Sequence, residues 1–118
     1  MIKDNSGPIN SAVGRHVFIK HMYDDDYFPK HLVDKGKIIL LDLCLQIEQQ
    51  APNDLKDLYV LTHVATKEFN DLQEEFYEHG SELETVARES IGADFKFVAA
   101  VYGFEDADIE ELIMTREW

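Results

Sequence analysis

The chain of 118 residues has a net charge of −13, and 45% of its residues are hydrophobic. This hydrophobic share and length are typical of a single globular domain that builds its core without disulfides or metals. The charge repels phosphate groups and anionic lipids, so we expect neither nucleic acid nor a membrane as a partner. The single Cys44 excludes an internal disulfide framework, and no signal-peptide pattern opens the chain. Both observations favour a soluble cytoplasmic protein.

The acidic charge is concentrated in the second part of the sequence. Residues 1–67 hold nine acids and eight bases, whereas residues 68–118 hold fifteen acids and three bases. Such a field attracts a basic protein partner. The alternative is a solvated face that only keeps the protein soluble.

The N-terminal stretch predicts a flexible leader over residues 1–14, because Gly, Pro, Asn and Ser occur there without an apolar period. We predict one helical domain over residues 15–118. Its first part, Val17 to Phe28, is a helical or extended segment that supplies large apolar side chains.

Three consecutive aspartates, Asp24, Asp25 and Asp26, interrupt this segment in the stretch "HMYDDDYFPKH". A calcium-binding loop counted from Asp24 needs glycine at its sixth position and glutamate at its twelfth, and the sequence has neither. Aspartate is also favoured at turns. We therefore predict an acidic turn that faces water and holds no metal, with Tyr27 and Phe28 buried beside it; a metal loop is the alternative.

Three long helices are predicted next. The first begins at Pro29, because proline suits the first turn of a helix, and it ends near Gln50. Asn53 is predicted to cap the second helix, which ends near His79, and the third helix ends at Tyr102.

The connections between these helices carry their own signals. Gly80 is placed to end the second helix, and Ser81 with Glu84 predicts a capping box for the third. The stretch "FEDADIEELIM" predicts a short fourth helix, with Phe104 and Ile109 as a hydrophobic staple. The predicted fold is all-α: a compact bundle of three long helices, with a short C-terminal helix and the N-terminal segment packed on it.

The first long helix has two apolar faces, and each needs a cover. The first face comprises Leu32, Ile39, Leu40, Leu43 and Ile47, and the second comprises Ile38, Leu41 and Leu45. We expect the N-terminal segment to cover the second face in a monomer. The alternative cover is a second subunit, which makes a homodimer through this helix.

A polar seam is predicted between the second and third long helices, which we expect to form an antiparallel hairpin at Gly80. Its members are Thr62, Thr66, Asn70, Ser90 and Asp94. A buried carboxylate such as Asp94 must be hydrogen-bonded or paired. The seam is therefore either a network that holds the helix register or a small pocket, with Asp94 as base or ligand and His63 at its edge.

Motifs for metal or nucleophile chemistry do not occur: there is no HExxH, CxxC, GxSxG or phosphate-binding glycine loop. Glu-x-x-His pairs, which carboxylate-bridged di-metal bundles use, are missing as well. We therefore predict no metal site and no cofactor.

Three stretches together, "MYDDDYFPKHLVDKGK", "LTHVATKEFNDLQEEF" and "YGFEDADIEEL", resemble a family of small acidic bacterial proteins known only as a domain of unknown function. The resemblance covers most of residues 17–118. It implies an all-helical fold and a bacterial cytoplasmic origin, and it implies no catalytic residues.

Two functions of different classes follow from these observations. The favoured function is a non-enzymatic acidic interaction protein that binds a basic protein partner. The alternative is a small metal-dependent or hydrolytic enzyme that uses Asp94 and His63.

Overall fold

The computed structural model describes residue 8 and residues 10–118. The helices run in the order α1 Ser11–Arg15, α2 Lys20–Tyr23, α3 Lys30–Gln50, α4 Leu55–Glu78, α5 Thr85–Val101 and α6 Ile109–Leu112. No strand occurs among the described residues, so the predicted all-α class is confirmed. Of the helices in this part of the chain, none combines the length and the apolar character that a membrane span requires.

The ends of the long helices follow local signals in the sequence. α3 ends at Gln50, as predicted, but it begins at Lys30, with Pro29 at the cap position rather than at the first helical position. The predicted cap of α4 is wrong by one residue, because Asp54 and not Asn53 accepts the Asp57 N–H, at 2.9 Å. A carboxylate at this position also faces the positive end of the helix dipole.

The connection between α4 and α5 confirms one prediction and overturns another. Gly80 adopts a left-handed conformation with φ of +76°, and the Ser81 N–H donates to the Phe76 carbonyl at 2.8 Å, which closes α4. The predicted capping box is wrong. α5 begins at Thr85, directly after Glu84, and the Ser81 backbone belongs to the end of α4 instead.

The predicted staple of the last helix is also wrong. Asp108 caps α6 by accepting a backbone N–H, so the staple positions on either side of the cap are Ala107 and Leu112. Both of these side chains are buried. Phe104 is only partly buried and Ile109 is exposed, because α6 begins later than the sequence pattern indicated.

The predicted leader is too long at its C-terminal end. Residues 11–14 belong to α1, whose cap Asn10 accepts the Val13 N–H at 3.1 Å. Val13 is buried in the core, which holds this turn of helix against the bundle. Residues 1–7 and 9 of the predicted leader lie outside the described residues.

The segment between α1 and α3 leaves Ile38 of the second apolar face of α3 exposed, whereas Leu41 and Leu45 on that face are partly buried. Phe18 lies edge-on to Phe97 of α5, and Phe28 lies edge-on to Phe76 of α4, with ring centroids 6.3 and 6.2 Å apart. Because these rings pack against α4 and α5, they do not cover the outer side of α3 around Ile38. Ile38 on that face is 62% exposed.

The chain turns at the three aspartates, as predicted, but Asp25 is half-buried and only one of the two aromatic neighbours is buried. Asp25 Oδ1 accepts the Tyr27 N–H at 2.9 Å, and the Asp25 carbonyl accepts the Phe28 N–H at 3.2 Å. Asp24 and Asp26 are exposed. The prediction that Tyr27 is largely buried is wrong, since only Phe28 enters the core.

Replacing Phe28 with alanine is expected to lower the free energy of unfolding by about 3–5 kcal/mol, because the lost ring leaves a cavity beside Phe76. Chemical denaturation followed by circular dichroism measures the change. Tyr27→Ala is the control, and it should cost clearly less because the Tyr27 ring is 39% exposed. Equal losses for the two variants would contradict the assignment of Phe28 to the core.

Candidate functional site

The polar residues that the seam prediction placed on α4 bond within α4 or to the C-terminal segment rather than to α5. The Thr66 hydroxyl donates to the Thr62 carbonyl at 2.8 Å within α4, and it lies 3.3 Å from the Leu112 carbonyl of the C-terminal segment. The Asn70 amide donates to the Thr115 carbonyl at 3.0 Å and accepts the Glu117 N–H at 2.8 Å. The buried Thr62 bonds within α4. The predicted seam between α4 and α5 is therefore wrong.

Two further side chains complete this clamp on the C-terminal segment. The Gln73 amide donates to the Glu117 carbonyl at 3.0 Å, and Arg88 Nε donates to the Trp118 main-chain oxygen at 3.2 Å. The Trp118 ring packs on Phe69 with centroids 6.0 Å apart. Sequence reasoning missed the clamp because its acceptors are main-chain groups, which carry no residue-specific signal.

His63 lies away from Asp94, so the predicted pair is not formed. His63 Nε2 is 2.7 Å from the Glu111 carbonyl, and its ring stacks on Tyr59 with centroids 6.1 Å apart. A carbonyl oxygen only accepts hydrogen bonds, so Nε2 carries the proton. This histidine ties α4 to α6.

Asp94 is buried, as predicted, but its carboxylate faces the N-terminal segment. Oδ1 lies 2.8 Å from His16 Nε2, and Oδ2 accepts the Ile19 N–H at 2.5 Å. Ile19 has a left-handed backbone with φ of 45°, which is strained for a β-branched residue by about 1–3 kcal/mol. Asp94 therefore holds a strained turn in place.

The His16 ring is held rigidly at the edge of a cavity of about 560 Å³ between α2 and α5. It stacks on Phe97 with centroids 3.9 Å apart, and Asp94 accepts its Nε2–H. A neutral imidazole bonded in this way presents Nδ1 as an acceptor. Ser90, predicted for the seam, lines this cavity together with Glu89. The arrangement can accept a hydrogen bond, or a proton, from a small molecule.

The described part of the chain contains one cysteine, Cys44, whose thiol is buried. No three His, Cys, Asp or Glu side chains converge there to hold an ion. Burial, followed by the nearby Glu48 carboxylate, raises the pKa of the Cys44 thiol to about 12. The thiol is therefore protonated at neutral pH and is a poor nucleophile.

A second region of interest is a groove of about 240 Å³ on the outer side of α3 and α4, here called the α3–α4 groove. It is lined by Asp42, Leu43, Gln46, Leu61, Val64, Ala65 and Glu68. A cavity of about 280 Å³ adjoins it through Leu61 and reaches the connection after α3. Partial burial, and then the neighbouring Asp42 and Asp71 carboxylates, raise the pKa of Glu68.

The exposed acids of residues 68–118 are mostly without cationic partners. Glu75 pairs with Lys35, and Glu110 pairs with Arg116 at 3.2 Å. Twelve other exposed carboxylates have no cation at salt-bridge distance among the described residues: Glu68, Asp71, Glu74, Glu78, Glu82, Glu84, Glu89, Glu105, Asp106, Asp108, Glu111 and Glu117.

These features define a small all-α bundle with a strongly acidic surface, in which the buried Asp94 carboxylate and Thr66 hydroxyl are hydrogen-bonded to the chain itself. Residues 12–118 match the family of unknown function DUF5713, and the chain belongs to that family. The match confirms the resemblance to a domain of unknown function. No curated protein and no solved structure matches the chain.

Replacing Asp94 with alanine is expected to lower the free energy of unfolding by about 1–3 kcal/mol, because the Ile19 N–H and the His16 ring lose their acceptor. Urea denaturation measures the effect. Glu89→Ala is the matched control, since Glu89 is an exposed residue on the same helix, and it should change stability by less than about 0.5 kcal/mol. An Asp94 variant as stable as this control would contradict the anchoring role.

Proposed function

We propose that this protein is a non-enzymatic cytoplasmic interaction protein that binds a basic protein partner through its acidic surface. The observation that carries the proposal is the set of twelve exposed carboxylates without cationic neighbours among the described residues. The polar side chains in the interior support it as well, because Thr66, Asn70 and Asp94 are bonded to the chain itself.

Like charges held on one surface repel each other, and a basic partner relieves that repulsion when it binds. Such complementarity raises the rate of association and makes the affinity depend strongly on salt. A surface that only keeps the protein soluble has no such requirement, and it forms no saturable complex with a defined partner. Salt dependence and stoichiometry therefore separate the two interpretations.

The test begins with co-purification from the native host at low salt, followed by reconstitution with each purified basic protein. We expect a saturable complex of defined stoichiometry whose Kd rises at least tenfold between about 50 and 250 mM NaCl, because screening weakens exposed charge pairs. Neutralising Asp71, Glu74 and Glu78 should weaken it. Neutralising the lysines Lys37, Lys56 and Lys67 is the matched control, and it should not weaken the complex. A salt-insensitive complex, or none with any basic protein, would contradict the proposal.

A hydrolytic enzyme is the second candidate function, with His16 rather than His63 as the partner of Asp94. The observation in its favour is the rigid His16 ring at the edge of the cavity between α2 and α5. In such a site His16 Nδ1 takes the proton of the attacking water. Ester hydrolysis that is lost in His16→Gln and kept in His21→Gln would support this function, whereas equal rates in both variants would exclude it.

A further inference from the structure

The α3–α4 groove combines exposed apolar side chains with carboxylates. Val64 lines the groove and is 58% exposed, and Val60 lines the adjoining cavity and is 61% exposed. Ile38 is 62% exposed and precedes Asp42 of the groove by one helical turn, so both lie on the same face of α3. Large apolar side chains that share a surface in this way mark interaction sites.

The charged side chains that line the groove and the adjoining cavity, Asp42, Asp57 and Glu68, are all acidic. Asp42 and Glu68 face each other across the groove from α3 and α4, and Asp71 follows Glu68 by one turn. The pKa of Glu68 is raised because the side chain is partly buried and the other two carboxylates lie near it. In the free protein these carboxylates therefore repel one another, and a cation bound in the groove reduces that repulsion.

The length of the site matches a short helix. The groove and the adjoining cavity extend along α4 from Asp57 to Glu68. At about 1.5 Å per residue this distance is roughly 17 Å, or three turns of a helical ligand. A helix with a stripe of apolar residues and cations beside that stripe is complementary both to the exposed apolar side chains and to the carboxylates of the groove.

A second copy of this chain fits the same surface poorly. Symmetric pairing through α3 and α4 brings the two sets of Asp42, Glu68 and Asp71 toward each other. Like charges that face each other across an interface cost binding energy. The charge of the groove therefore selects a basic occupant over a homodimer.

We propose that the α3–α4 groove binds an amphipathic basic helix of the partner protein. The apolar stripe of that helix packs on Ile38, Val60 and Val64, and its lysine or arginine side chains pair with Asp42 and Glu68. This inference rests on the proposed function and specifies both its site and the chemistry of its partner.

The test uses the full chain labelled with ¹⁵N and a synthetic amphipathic peptide of sequence LKKLLKLLKKLLKL. At about 150 mM NaCl we expect saturable amide shifts confined to the groove, at Asp42, Val64 and Glu68. The double substitution Ile38→Ser with Val64→Ser should weaken binding at least tenfold. Its matched control is Met114→Ser, which changes a side chain that is 59% exposed elsewhere and should leave the Kd within twofold.

The remaining measurements separate the failure of this inference from the failure of the proposed function. Glu68→Gln should weaken binding, and the same peptide with glutamate in place of lysine should not bind. Peptide shifts that map to α6, or an unchanged Kd in the double variant, would overturn the groove and leave the acidic interaction function standing. If neither this peptide nor polylysine gives saturable binding at low salt, both proposals are wrong.

Discussion

A buried carboxylate sets the position of the N-terminal segment, and that position determines which parts of the neighbouring helices the segment covers. Asp94 bonds the His16 ring and the Ile19 backbone, and in doing so it holds Ile19 in a left-handed turn. Because a buried carboxylate without partners is costly, this contact commits the segment to α5. The segment is then not free to cover the outer face of α3, and Ile38 stays exposed.

The clamp on the C-terminal segment has a comparable effect at the other end of the bundle. Asn70 and Gln73 bond main-chain groups of residues 115 and 117, and the Thr66 hydroxyl lies 3.3 Å from the Leu112 carbonyl. Satisfying those main-chain groups keeps an irregular segment packed against α4 and allows Trp118 to join the core. The polar side chains in the interior of α4 therefore serve the fold, and the acids of the same helix are left facing outward.

The proposed function is based on the carboxylates and apolar side chains that take no part in these internal contacts. Carboxylates without cations and exposed apolar residues meet in the α3–α4 groove, where partial burial, and then the nearby Asp42 and Asp71 carboxylates, raise the pKa of Glu68. The cavity beside His16 differs because its lining carries both signs of charge, with Lys20 as well as Glu89. A basic partner has a stronger electrostatic reason to bind the groove than the cavity.

The sequence by itself determined the all-α class, the approximate extents of α3 and α4, the position of the acidic turn and the burial of Asp94. These depend on residues within about one helical turn, such as Pro29 and Gly80, or on a periodicity that shows which side of a helix is apolar. Only the tertiary structure decided which groups satisfy Asp94, which side of the bundle the N-terminal segment covers, and what the polar residues of α4 hold. The physical reason is that a buried polar group requires some partner but does not specify which one. That choice depends on how distant segments pack, and main-chain acceptors can be supplied by any residue.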